Sequence, residues 1–233
     1  MASAQPNPER QQRIFDAAAE LIAHYGFDKT TMDEIAKAAG VSKGALYLHF
    51  KSKDDLFEAL LLQEAERVSD TLMDRVTADP QGGSIISIFT QGLLAIAENR
   101  LLRALYTRDQ RVLGDYFRKL ARTSSYQQGF DFGLAFVEQM QAAGLLRSDI
   151  PSNVITYILA VIRYGLLTID SAVPMNNPPP LEQVAPIIGD MLRLTLVPEG
   201  GDSEAGKQAF KQLIEFGRRV IEDRRSNMKA KEP

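Results

Sequence analysis

Apolar residues recur every three or four positions along most of this chain, and no stretch of strict alternation interrupts them. That period is helical, so the pattern predicts an all-α protein. The first helix opens at Asn7-Pro8-Glu9, with asparagine as cap and proline at the first helical position. Ile14, Ala18, Leu21, Ile22 and Tyr25 then share one face, and Gly26 stops the helix. A long helix is expected over about 53–77, capped by Ser52 and Asp55, with Leu56, Leu60, Val68, Leu72 and Val76 inward. The run from Ala78 to Gly83 breaks the pattern. Further helices are expected over about 85–97, 101–106, 109–143 (interrupted near Thr123-Ser124-Ser125), 153–173, 181–196 and 204–225.

Between Gly26 and Lys53 the pattern tightens into two short helices around a glycine. Thr31 and Glu34 have capping-box spacing, which starts a helix at Met32. Ile35, Ala36 and Ala39 form its apolar side. Gly40 is placed to end it in the left-handed conformation, and Val41 can pack back under the turn. Ser42 can cap the next helix, about 43–50, in which Leu46 and Phe50 read as core. Two helices joined by a short glycine turn form the helix-turn-helix arrangement, whose second helix lies in the DNA major groove. Charge agrees with that reading. Between Glu34 and Asp54 there is no acid, while Lys37, Lys43, Lys51, Lys53 and His49 fall inside. The whole chain carries a formal charge of −3, so the basic character is local. The bland alternative is a solvated helical hairpin with ordinary lysines.

A recognition helix needs small residues where its backbone nears the duplex, and donors for phosphates and base edges. Gly44 disfavours the helix by about 1 kcal/mol relative to alanine, which makes sense if the backbone must come close to DNA. Lys43, Tyr47 and His49 have polar tips, and Lys53 begins the next helix, where the dipole favours an anion. Ser42 is counted with them.

The segment TTMDEIAKAAGVSKGALYLHFKSKDDLF, extended upstream by IFDAAAELIAHYGFDKTT, resembles the TetR (tetracycline-repressor-like) family of transcription regulators. Gly26–Phe27, Thr31, Ile35, Ala36, Gly40–Val41, Ser42, Gly44, Tyr47, Phe50 and Ser52–Lys53 stand where the family pattern has them. The resemblance covers about residues 10–60. It implies that Lys43, Gly44, Tyr47, His49 and Lys53 contact DNA and that Thr31 matches a backbone-contacting region. Leu48 departs from the polar or aromatic residue common there, so no base-specific role is assigned to it. The resemblance also implies that the rest of the chain binds a small molecule and dimerises. The expected division is a helix-turn-helix domain over 1–55, a helical ligand-binding and dimerisation domain over 56–226, and a disordered tail over 227–233.

The middle helices supply materials for such a pocket: Phe89, Tyr106, Phe117, Gln128, Phe132, Phe136 and Arg163 are the candidate lining. Each aromatic among them also fits an ordinary core. Residues 154–173, VITYILAVIRYGLLTIDSAV, are apolar on nearly all sides and should be buried all round. Arg163 and Asp170 interrupt them on one face and can serve a dimer axis, an anionic ligand or an exposed edge. This helix and 181–196 are the expected dimer interface, with Ala160, Gly165 and Gly189 permitting close approach.

With no cysteine, disulfides, thiolate metal sites and thiol switches are excluded. No phosphate-cradling glycine loop, metal-spaced cluster or nucleophile–base pair stands out, so neither cofactor nor enzyme is expected. No apolar run is expected to span a membrane, and the N-terminal residues lack an apolar signal core, so a cytoplasmic location is expected. The expected function is a ligand-responsive regulator. It would repress from a palindromic double-stranded operator as a homodimer and be released by a largely apolar effector. The alternatives are an all-helical binding or interaction protein that ignores DNA and, behind it, an enzyme.

Overall fold

The computed structural model describes residues 8–120, 125–198 and 203–230. Among these residues every regular element is an α-helix: α1 (Pro8–Tyr25), α2 (Met32–Ala38), α3 (Lys43–His49), α4 (Lys53–Ala78), α5 (Ile85–Glu98), α6 (Arg100–Thr107), α7 (Gln110–Leu120), α8 (Ser125–Ala142), α9 (Ser152–Ala172), α10 (Leu181–Leu196) and α11 (Ser203–Ala230). The elements read from periodicity are therefore the elements present. The expected interruption near Thr123 and Ser124 lies outside the described residues, and α8 begins at Ser125. The helix expected to end near 225 runs on to Ala230, where a disordered tail was expected from 227.

The chain packs as two compact units that do not follow chain order. The first comprises residues 1–65, 100–122 and 224–233, and the second 66–99 and 123–223. The core of the first gathers Ile14, Ala18 and Ile22 of α1, Ile35 of α2, Leu46 of α3, Leu56, Phe57 and Leu60 of α4, Leu101 of α6, and Leu113 and Tyr116 of α7. Helices α6 and α7 thus join the N-terminal helices, a division different from the functional boundary expected at residue 55. The reason is a close backbone approach between segments distant in sequence. Gly26 has φ +86 and lies so near the Arg111 carbonyl that a Cβ would come within 2.5 Å of it. The Phe27 amide donates to the Val112 carbonyl at 2.8 Å. Leu46 is fully buried, and truncating such a leucine to alanine costs about 2–5 kcal/mol.

In the second unit α5 packs on α10 and α8 on α9. A Cβ on Gly189 of α10 would come within 2.5 Å of the Ile86 side chain of α5, so this glycine serves packing inside the unit, not close approach between copies. Gly165 faces open space. Helix α9 is not buried all round: Val154, Tyr157, Ile158, Val161, Tyr164 and Ile169 are exposed. It is also long and apolar enough to cross a membrane by length and composition, against the expectation that no apolar run reaches that length.

Candidate nucleic-acid interface

The backbone around α2 and α3 follows its sequence signals bond by bond. Thr31 is extended, its hydroxyl accepts from the Glu34 amide at 3.2 Å, and its own amide donates to the Glu34 carboxylate at 2.8 Å. Hydrogen bonds from the Thr31 hydroxyl and amide hold the Glu34 carboxyl below its ordinary range. Gly40 takes φ +65, and the Val41 amide returns to the Ala36 carbonyl at 3.0 Å. A Cβ at Gly40 would touch nothing, so it is the left-handed backbone that selects glycine. Ser42 accepts from the Ala45 amide at 3.2 Å and starts α3.

That start fixes which way α3 faces. Leu46 and Phe50 turn inward, and the Phe50 ring lies 5.6 Å from that of Phe15. Ser42, Lys43, Gly44, Tyr47 and Leu48 turn out to solvent, and His49 is half-buried. Gly44 has open space where a Cβ would stand. Thr31 is exposed at the head of α2. Six of the seven residues expected to touch DNA therefore lie along α3 and the head of α2.

The two lysines differ. Lys43 reaches back to Asp33 at 2.9 Å, with its ammonium 6.0 Å from the Tyr47 ring centre. The hydrogen bond and charge of Asp33 raise its pKa, and the exposed pair can open. Lys53 instead spends its ammonium on the protein. It donates to the carbonyls of Phe27 at 2.6 Å, Thr30 at 2.8 Å and Asp28 at 3.4 Å, over the Phe27 ring at 4.3 Å. An ammonium has three donors, and all three are committed. In the free chain the Lys53 ammonium, expected to meet phosphate, braces the loop that delivers Thr31.

The same loop has a second anchor that the sequence did not announce. The Asp28 carboxylate accepts from the Asp115 amide at 2.9 Å and occupies the space a side chain on Gly114 would need. Gly114 kinks α7 at φ 50 and ψ −136, a glycine-only conformation. A glycine inside the expected 109–143 helix was the available signal. Tyr116, just past the kink, packs 4.8 Å from Phe57 and 5.5 Å from Phe27, ring centre to ring centre. Burial, helped by the charge of Glu58, pushes its phenol far above the ordinary value. Beside this loop a cavity of about 400 Å³ is lined by His24, Lys29, Arg100 and Arg111 among others. Arg111 is held there by Asp109, and Arg100 donates to the Ala23 carbonyl.

The expected effector lining is divided. Phe117 packs on the core of the first unit, to which Tyr106 also belongs. Phe89, Phe132, Phe136 and Arg163 lie in the second unit, and the side chain of Gln128 lies outside the described residues. In the second unit the Arg163 guanidinium sits 5.3 Å from the Phe89 ring centre, Phe132 stacks on Phe216, and Phe136 meets Phe210 edge to face. Phe89 and Phe136 are buried, and Asp170 is exposed. No group of three or more histidine, cysteine or acidic residues suited to a metal ion occurs among the described residues.

Against known proteins, the profile of the family described as "Bacterial regulatory proteins, tetR family" matches residues 14–60. The chain is 30% identical over 163 residues to the HTH-type transcriptional repressor Rv1474c of Mycobacterium tuberculosis, covering 68% of this chain and 80% of that protein. It is 38% identical over 87 residues to the fatty acid metabolism regulator protein of Bacillus subtilis, covering 36% of this chain and 44% of that one. In fold it is similar to the fatty acid degradation regulator FadR of Bacillus halodurans, with a TM-score of 0.61, 17% identity and coverage of 81% and 96%.

Proposed function

Because this chain belongs to the tetR family of bacterial transcription regulators, which bind DNA and are not enzymes, we propose that it is a homodimeric repressor that leaves a palindromic operator when a largely apolar small molecule binds it. The observation that carries the DNA half is the orientation of α3: Leu46 and Phe50 lock one side into the core, which leaves Lys43, Gly44, Tyr47 and Leu48 outward, with Lys37 and Lys51 also exposed. In this reading Thr31, Ser42, Lys43, Gly44, Tyr47 and His49 meet the duplex, and Lys53 holds the loop that presents Thr31. Residues 1–55 act as the DNA-binding domain and 56–226 as the effector and dimerisation domain. The protein works in the cytoplasm, where the chromosome lies.

Two further observations support the remaining parts. The apolar side chains exposed on α9, together with Ile187, Met191 and Leu194 on α10, are what a partner copy would cover. A two-fold dimer presents its recognition helices to successive major grooves about 34–36 Å apart. The rings of Phe89, Phe132, Phe136, Phe210 and Phe216, with Arg163 against Phe89, favour an apolar effector that carries few polar groups. Such an effector acts only through its greater affinity for the state that does not fit DNA.

The test begins with a duplex selected by the protein from a randomised pool. Binding should weaken steeply with salt. Thermal-shift screening across apolar, sugar and metal libraries should then give apolar hits that raise the melting temperature of the free protein and release the duplex. Stabilisation by sugars or metals alone, or apolar hits that never alter DNA affinity, refutes the effector half.

A further inference from the structure

Leu48 is 87% exposed, the largest exposure among the big apolar side chains of the described residues. It is the last residue but one of α3, four positions after Gly44, so the two lie on one helical face. Next to it Tyr47 is 43% exposed, and a Cβ on Gly44 would stand in open space. Leu48 thus projects from a face that Gly44 leaves bare of side chain. Lys37, Lys43 and Lys51 are exposed in the same segment, Lys43 paired with Asp33, and no acid occurs between Glu34 and Asp54. An exposed leucine in a lysine-rich segment suits a polyanion that carries apolar groups between its charges. In the major groove that group is the thymine C5-methyl, the only apolar group a base pair presents there.

We propose that Leu48 is a specificity-determining residue that reads a thymine methyl in each half-site, with Gly44 allowing the backbone near enough for contact. The inference rests on α3 entering the major groove. Lys43, tied to Asp33, contributes attraction to phosphate that is the same at every sequence, whereas the leucine discriminates. Removing a methyl from the contact forfeits the burial of one such group, about fourfold in affinity per half-site. A partner base without a methyl leaves the leucine against a polar edge.

The experiment uses the full-length protein and a duplex that it selects from a randomised pool. Each thymine is replaced in turn by deoxyuridine, which removes the methyl and nothing else. The readout is the affinity ratio between thymine and deoxyuridine duplexes, which cancels any general loss of binding. At one thymine per half-site the ratio should be about four for the wild type, about one for Leu48→Ala, and near the wild-type value for Leu48→Met, which keeps an apolar side chain of similar size. A wild-type ratio of one at every thymine overturns the proposal while leaving DNA binding intact. So does an unchanged ratio in Leu48→Ala, which gives the methyl to another residue. Loss by Leu48→Ala of binding to random-sequence duplex at low salt would also overturn it, placing Leu48 in the fold or the phosphate contacts. Failure of the wild type to bind random-sequence duplex at low salt is a different result, and refutes DNA binding through α3 itself.

Discussion

Helices α3 and α9 both put apolar side chains in solvent, but in different patterns. On α3, Leu48 and the half-exposed Tyr47 stand among lysines. On α9, Val154, Tyr157, Ile158, Val161 and Tyr164 recur at helical spacing, and α10 adds Ile187, Met191 and Leu194. Leu48 alone is too little surface to bind a protein, and its charged setting suits a grooved polyanion. The larger set on α9 and α10 is more apolar surface than one side chain leaves in water, and it is the surface that the proposed second copy would cover. Exposure therefore points to different partners according to whether it is isolated and ringed by charge or extended and apolar.

The comparison breaks most visibly if the α9 and α10 surface is not an interface. Charging it with Tyr157→Glu and Leu194→Glu together should convert a micromolar dimer to a monomer in sedimentation, and cut operator affinity about 100-fold or more through lost bivalency. A dimer that survives both charges would send the stripe elsewhere.

A smaller effect separates the two lysines of the DNA-facing unit. Lys53→Met removes a three-carbonyl brace and should cost about 2 kcal/mol, a fall of about 4–8 °C in melting temperature, with the salt slope of DNA binding unchanged. Lys43→Ala should leave melting unchanged and flatten that slope by about one unit. If the two exchange behaviours, Lys53 faces phosphate after all and the brace is wrong.

Asp33→Asn sharpens the same contrast. It frees Lys43 from its carboxylate, so affinity for random-sequence duplex at low salt should rise about threefold and the gain should vanish at high salt. Equal affinity at low salt would mean that the pair opens on DNA without cost.

The smallest expected effect concerns Tyr116. Burial raises its folded pKa above the unfolded value, so its contribution is complete below pH ~10 and is lost as pH rises further, because only the unfolded chain then gives up the proton. Thermal melts from about pH 9 to 11 should show a steeper decline for the wild type than for Tyr116→Phe. Parallel declines would show the phenol to be more accessible than its packing against Phe57 implies.

How much of this was legible beforehand follows range. The Thr31–Glu34 capping box, the left-handed Gly40 and the Ser42 cap act over three or four residues, so the sequence alone determined α2, the turn and α3, and through Leu46 and Phe50 which side of α3 faces out. Helical period likewise determined the order of the helices, because it too is local. Tertiary structure decided what depends on partners distant in sequence. It spent the Lys53 ammonium on carbonyls 23 to 26 residues away, set the Asp28 carboxylate on an amide 87 residues away, and assigned Gly189 to the α5 surface. It also decided that one side of α9 is exposed and the other covered by its own chain, because which neighbours reach an apolar helix is settled only in three dimensions.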